Sequence, residues 1–363
     1  MKKSIVMVAS YGGPYGGNFI PSLIAYDEVV KELGYRSVYV FPDFVSDYAW
    51  VEEMKECADR LYFIPYQQYT LDNIKRIKKI CLDEHAVLLY SRMSGWDITA
   101  RLAMPRLTLI WHMEMGLNLT SIKSRVKYWI KYKILGFGKT YHIAVSDKTV
   151  DSINSLHVKN KCVWIPNAIN LLRLHMKDAL PYIQPIKLLT FAYQPTIKGF
   201  DIALDACEVL NKYYVMYELL ASAQARTYEY IKKRYPESLP EWLTLVPPTD
   251  NISEIFDKAD CLLCPSRSEG LSFANLEGLY SGLPVVYSNI PGNRILSDFK
   301  MTYCFESCNA TDLADKIVQC TKTPISEEFQ RENRELIEKK YSMPAWSQKI
   351  KEIIFKISNA QEC

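Results

Sequence analysis

Short apolar runs, each closed by glycine, proline or a polar cluster, alternate along this chain with longer segments whose apolar residues recur at helical spacing. Residues 4–10, Ser-Ile-Val-Met-Val-Ala-Ser, are the first such run, and Gly12-Gly13-Pro14-Tyr15-Gly16-Gly17-Asn18 follows it. Phe19/Ile20, Leu23/Ile24, Val29/Val30 and Leu33 then fall on one stripe of a helix that Gly34 ends, and residues 37–41 resume an apolar run. Strand, glycine loop, helix, strand is a βαβ unit, whose strands lie parallel and are covered on both faces. The same alternation predicts strands at 60–64, 86–90, 107–111 and 141–146. His112 ends the third of these, and a histidine at a strand's carboxyl edge faces the crevice of an open sheet.

Pro181 and Pro185, in a polar and irregular segment, mark the crossing into a second domain. That domain opens with a strand at 187–191, the loop Ala192-Tyr-Gln-Pro-Thr-Ile-Lys198-Gly199 and an apolar helix over 200–210. At the far end Trp346, Ile350, Ile353, Ile354 and Ile357 share one face of a helix beginning near Ser342-Met-Pro344, and such a face has to pack on something. The class is α/β throughout.

Composition narrows the function. A chain of 363 residues suits two domains, each with its own core. With 48% hydrophobic residues and a net charge of +3, it reads as a globular protein without the bulk charge of a nucleic-acid binder. The ten cysteines are scattered; Cys261-Leu-Leu-Cys264 is the zinc-like spacing, but its apolar filling makes it a core strand. Scattered thiols fit a reducing, cytoplasmic compartment. The amino-terminal apolar run is five residues long and flows into a glycine loop, so it reads as a first strand and not a signal peptide. No apolar stretch approaches the length of a transmembrane helix. Residues 115–146 contain no acid; Lys123, Arg125, Lys127, Lys131, Lys133 and Lys139 are interleaved with Tyr128, Trp129, Tyr132 and Phe137. That stretch fits a solvated helix face, an anionic membrane surface at the cytoplasmic side, or a phosphorylated acceptor.

The most specific chemistry lies in residues 261–291, CLLCPSRSEGLSFANLEGLYSGLPVVYSNIP. Two apolar runs enclose a loop, a plausible N-cap at Ser272, and a helix carrying Phe273, Leu276 and Leu279 that Gly282 terminates. The amides and dipole of such a helix start form an anion site. Glu269 in the loop and Glu277 in the helix, eight positions apart, frame it. A diphosphate held there would leave one carboxylate for hydroxyls on each side, the outline of a nucleoside diphosphate sugar.

Pro265-Ser266-(x2)-Glu269-Gly270, Glu277-Gly278 and Gly282-(x)-Pro284-Val-Val together resemble the donor-site motif of retaining glycosyltransferases with two Rossmann-like domains, the family 4-like members of the GT-B fold. The resemblance is strong from about Leu188 to Arg294 and looser before it. It implies two Rossmann-like domains facing a central cleft: 1–170 on the acceptor side, completed by a carboxyl-terminal helix 344–363 crossing back to it, and 171–343 holding the nucleotide sugar. Val163-Trp-Ile-Pro-Asn167 matches the family's last element before its linker, and Val246-Pro-Pro-Thr-Asp-Asn251 precedes a helix whose counterpart helps cradle the base. It implies catalytic roles for Glu269 on the sugar hydroxyls, His112 on the sugar's far side and Lys198 on the departing diphosphate. Donor binding falls to Gly16, Gly17, Lys198, Arg267, Glu269, Gly270, Leu271, Ser272, Phe273 and Glu277, the last on the ribose. The arginine that usually accompanies the lysine is absent, Ala192-Tyr193 standing in its place, and Arg267 is the candidate substitute. The expected reaction is transfer of a sugar from a UDP- or GDP-type donor to a saccharide or lipid-linked acceptor, with retention and without a metal or other cofactor. A nucleotide-sugar epimerase would leave the basic aromatic stretch without a purpose. A glycosidase would need neither the anion-binding helix start nor Lys198. A non-catalytic sugar-nucleotide binder is the remaining reading.

Overall fold

A computed structural model of the chain describes residues 2–114, 117, 119, 121–213, 216–249 and 251–362, the last three by backbone alone. Met115, Asp250 and Cys363, which fall within segments or counts named above, lie outside the described residues. The chain divides into two compact units, Met1–Ala168 with Met343–Cys363, and Ile169–Ser342.

In the first unit the apolar runs and stripes become strictly alternating strands and helices. They are β1 (Ser4–Ala9), α1 (Phe19–Glu32), β2 (Arg36–Pro42), α2 (Trp50–Cys57), β3 (Arg60–Ile64), α3 (Leu71–Asp83), β4 (Ala86–Arg92), α4 (Asp97–Ala103), β5 (Thr108–Met113), α5 (Ile122–Trp129), β6 (Thr140–Ala144), α6 (Asp147–Ser155) and β7 (Val163–Trp164). The strands form one parallel sheet in the order β3-β2-β1-β4-β5-β6-β7. Every residue of β1 is buried. Its Ile5 and Met7 join one apolar cluster and its Val6 and Val8 another, as the alternation of a strand covered on both faces requires.

The second unit repeats the plan. It runs β8 (Ile186–Phe191), α7 (Phe200–Leu210), β9 (Tyr217–Ser222), α8 (Ala225–Arg234), β10 (Leu243–Val246), α9 (Ile252–Asp257), β11 (Cys261–Cys264), α10 (Phe273–Tyr280), β12 (Val285–Ser288), β13 (Thr302–Phe305), α11 (Ala310–Lys322) and α12 (Glu327–Tyr341). Its parallel sheet has the order β10-β9-β8-β11-β12-β13. The two CxxC cysteines are buried in β11, with the Cys261 thiol 3.7 Å from that of Cys320. The last helix, α13 (Met343–Glu362), belongs to the first unit, where its Trp346, Ile350, Ile354 and Ile357 join the cluster that holds Ile20, Leu23 and Tyr26 of α1.

Candidate active site

In an open parallel sheet, ligands bind outside the carboxyl ends of the strands where the strand order reverses. The second sheet reverses between β8 and β11, which pair directly. The loop after β8 carries Lys198 and the loop after β11 carries Glu269. Their side chains meet there: Lys198 Nζ donates to Glu269 Oε1 at 2.6 Å, and Ser266 Oγ donates to the same oxygen at 2.6 Å.

Close packing holds the two loops in place. Gly199 has φ of +65°, and a Cβ on it would stand 1.9 Å from the Pro265 carbonyl oxygen, so only glycine lets the loops approach. A Cβ on Gly292 would likewise stand 2.1 Å from the Glu269 carbonyl oxygen. The Arg267 amide donates to Ile197 O at 2.8 Å, and Ser288 Oγ donates to Ser266 O at 2.6 Å. Lys198 and Glu269 are mostly buried, with side chains 14% and 9% exposed. Burial pulls the Lys198 ammonium down, but the Glu269 carboxylate and Tyr193 outweigh it, so its pKa stands above the ordinary lysine value. Lys198 therefore stays cationic at any physiological pH.

The position vacated by the expected arginine holds a ring instead. Lys198 Nζ lies 4.9 Å from the centroid of Tyr193, a cation–π contact. Arg267 is not a free second cation. Its two terminal nitrogens bind both carboxylate oxygens of Asp201, at 2.7 and 2.6 Å, and it also donates to Thr196 O. Its pKa is raised chiefly by that hydrogen bond to Asp201. The second cation expected from sequence is thus already engaged, and its bidentate fork on Asp201 ties the loop to α7.

Leu271, Ser272 and Phe273 lead into α10 as the sequence predicts, although the Ser272 side chain makes no capping hydrogen bond. Glu277 is buried within that helix and accepts from Arg173, which follows β7 on the 3₁₀ turn Leu171–Arg173. Ser253 of α9 anchors this turn, donating to Arg173 O and accepting from the His175 amide, both at 2.8 Å. Sequence reasoning missed Arg173. It lies 104 residues from its partner, and no motif or spacing connects them.

With this geometry in view, the family described as glycosyl transferases group 1 matches residues 186–323. That match falls inside the second unit. An uncharacterized glycosyltransferase of Methanocaldococcus jannaschii is 23% identical over 283 residues, covering 76% of each chain. The O-antigen biosynthesis glycosyltransferase WclY of Escherichia coli is 30% identical over 125 residues, 34% of each chain. Among solved structures, a glycosyltransferase of Rickettsia africae superposes with a TM-score of 0.78 at 17% identity, over 98% of this chain and 99% of that one. Anabaena Alr3699/HepE in complex with UDP gives 0.77 at 14% identity, over 97% of this chain and all (100%) of that one. The fold is therefore that of GT-B glycosyltransferases, two Rossmann-like domains.

The first unit, which lies outside the group 1 match, corrects one expectation. His112 sits within β5 and is 0% exposed, so its ring is sealed from solvent and presents no surface to a ligand. Its Nδ1 is 2.8 Å from the Tyr90 hydroxyl, and its Nε2 points toward Glu114 Oε1 at 3.9 Å. Burial lowers its pKa to about 4, so the ring is neutral at pH 7. Two residues on, Glu114 takes the outer position and binds buried Arg92 at 2.7 Å. Burial would raise the Glu114 carboxyl, but Arg92 and the other donors around it hold it below its ordinary value. Gly16 and Gly17 open the turn into α1; Gly17 has φ of +52° with nothing within 4 Å of a built Cβ.

The basic stretch also changes. Lys131 is not free: it binds the buried Asp97 carboxylate at 2.7 Å, and Tyr132 is buried. Lys133 donates to His157 O. Along α5 and just beyond, Ile122, Val126, Trp129 and Ile130 are 81, 51, 46 and 40% exposed. They recur at i, i+4, i+7 and i+8 and so form one apolar face, with exposed Lys123, Arg125 and Lys127 among them. No helix among the described residues is long and apolar enough to cross a membrane.

Proposed function

We propose that the protein transfers a sugar from a nucleoside diphosphate sugar, held by the second unit, to a saccharide or lipid-linked acceptor taken by the first unit. The observation that carries this reading is the Lys198–Glu269 pair astride the switch point of the second sheet, beside the α10 helix start and above a buried Glu277. A diphosphate gains negative charge as the glycosidic bond breaks, so a fixed cation and oriented amides stabilise the transition state more than the ground state. Lys198 and the amides at 271–273 supply these. Glu269, released from Lys198 when the phosphate takes that cation, accepts from sugar hydroxyls, and Glu277 accepts from the ribose. Bond cleavage and formation occur on one face of the sugar, with retention and with no metal in the charge balance.

Two similarities support the donor class: Anabaena HepE has been solved with UDP and with UDP-glucose, at TM-scores of 0.77 and 0.76. Relatives named for O-antigen and amylovoran biosynthesis, both 30% identical over about a third of the chain, support a place in surface polysaccharide assembly. The exposed apolar face of α5 with its cations is the part we assign to an anionic membrane surface.

A thermal-shift panel of UDP, GDP, ADP and their sugars tests the donor site, since a ligand at a hundred times its Kd adds about 2.7 kcal/mol of stability. One diphosphate is expected to raise the melting temperature with or without chelator. Lys198→Ala should lower kcat with the matching sugar donor by roughly a hundredfold or more, the range for one lost electrostatic donor. A panel with no shift, or a Lys198→Ala enzyme of ordinary kcat, would overturn the reading.

A further inference from the structure

The first sheet reverses its strand order between β1 and β4. Four loops leave the carboxyl ends of the strands on and beside that point: 10–18, 43–49, 65–70 and 93–96. They hold Tyr15, Phe44, Tyr66 and Tyr69 at 45, 48, 47 and 55% exposure, a concentration of half-open rings where a ligand crevice belongs. The rings are not loosely displayed. Phe44 meets Tyr66 edge-on at 5.6 Å and Tyr48 at 6.5 Å, and Tyr66 rests on fully buried Trp96 at 6.2 Å. The glycine loop presses on the same cluster, since a Cβ on Gly12 would stand 2.7 Å from Phe44 Cζ. The backbone is strained beside it: Tyr69, Met93 and Ser94 adopt φ of +59°, +68° and +52° without being glycine.

The charge in these loops is as selective as the rings. They contain no lysine or arginine; their only ionisable acids are the exposed Asp43 and Asp47, and Gln67 and Gln68 add exposed amides. Rigid aromatic faces, two carboxylate acceptors and amides without a cation suit a polyhydroxylated ring with one apolar C–H face. They repel a phosphate or a uronic acid. We propose that this aromatic cluster is a subsite for an uncharged pyranose, the sugar residue of the acceptor that receives the transferred group. The inference rests on the reading that the first unit takes the acceptor, and it adds that the acceptor's reactive end is a neutral sugar. Any anionic portion of that acceptor then falls to a different surface, such as the cations of α5.

Saturation-transfer NMR on the full chain tests this with a mixture of methyl glucoside, galactoside, mannoside, rhamnoside and N-acetylglucosaminide, set against methyl glucuronide and glucose 6-phosphate. The expected result is transfer to C–H protons of at least one neutral glycoside, at least fivefold above either anion. Phe44→Ala and Tyr66→Ala should each cut it fivefold or more; Tyr69→Ala, at the most exposed ring, serves if either fails to fold. Transfer to no neutral glycoside, equal transfer to the anions, or undiminished transfer in folded variants overturns the proposal. So does binding of these rings to uncharged phosphatidylcholine vesicles that the same replacements abolish, which would make the cluster a lipid contact. The nucleotide panel is independent: a diphosphate shift without glycoside transfer removes the subsite and leaves the proposed function standing.

Discussion

Individual side chains divide here into those that act by being charged and those that act by staying neutral. Arg173 and Glu277 are a mostly buried pair, the glutamate side chain 4% and the arginine 23% exposed. Removing one member strands the other, a loss of about 3 kcal/mol or more. Arg173→Ala is therefore expected to lower the melting temperature and, by releasing Glu277 from its rotamer, to raise donor KM more than it lowers kcat. Adding Glu277→Ala should cost little further in KM, because on the proposed function both changes remove one ribose contact; fully additive effects would detach Arg173 from the site. His112 and His142 are the neutral members. Burial lowers their pKa values to about 4 and about 3, against an ordinary value near 6.5. Below that ordinary value the unfolded chain binds protons that the folded one refuses, so stability is present above about pH 6.5 and is lost as the pH falls toward the folded values. Each histidine should cost about 2 kcal/mol between pH 7 and pH 5. Urea midpoints measured across that range should fall less steeply in His112→Asn than in the parent; an identical slope would contradict the assignment.

At the scale of elements, α5 is the outlier. No residue of α5 is fully buried, although half-buried Tyr128 packs on the core, and the helix's exposed isoleucine, valine and tryptophan would be a liability in water alone. With Lys123, Arg125 and Lys127 around them, these residues form the pattern of a helix lying in a lipid interface. Vesicles containing anionic lipid should retain the protein at low salt and release it as salt rises. Replacing those three cations with glutamine should abolish retention while leaving the nucleotide thermal shift unchanged. Lys131 is excluded from that test because its charge neutralises Asp97, and its loss would act through folding. Retention indifferent to both salt and the triple replacement would remove the membrane role of α5.

Across the whole molecule, the first unit is discontinuous in sequence: its core is finished by α13, from the end of the chain. Ile354 is 0% exposed within that core, so Ile354→Ala should destabilise the first unit by about 2–5 kcal/mol, a cavity cost. The second unit does not contain α13, and the nucleotide shift should survive the substitution. Limited proteolysis should show the first unit opening before the second; simultaneous loss of both would mean that they fold as one.

The order and type of most elements, the glycine loop and the Glu269–Glu277 motif were legible from the chain alone. Periodicity and capping are written in neighbouring residues, and a parallel α/β sheet repeats them. The amphipathic last helix announced by its own pattern that it must be buried, and only the family resemblance said on what. Partnership across the sheet was not legible. That Lys198 meets Glu269, that Asp201 consumes Arg267, and that Arg173 holds Glu277 depend on which strands become neighbours and how closely the loops pass at Gly199 and Gly292. His112 shows the same division: its place in a strand follows from local pattern, whereas its sealing behind Tyr90 and Glu114 follows from the β4–β5 register, which sets Arg92 opposite it. Local order is encoded within a few residues along the chain; the charge state and reach of each site residue were decided by contacts that only the folded sheets create.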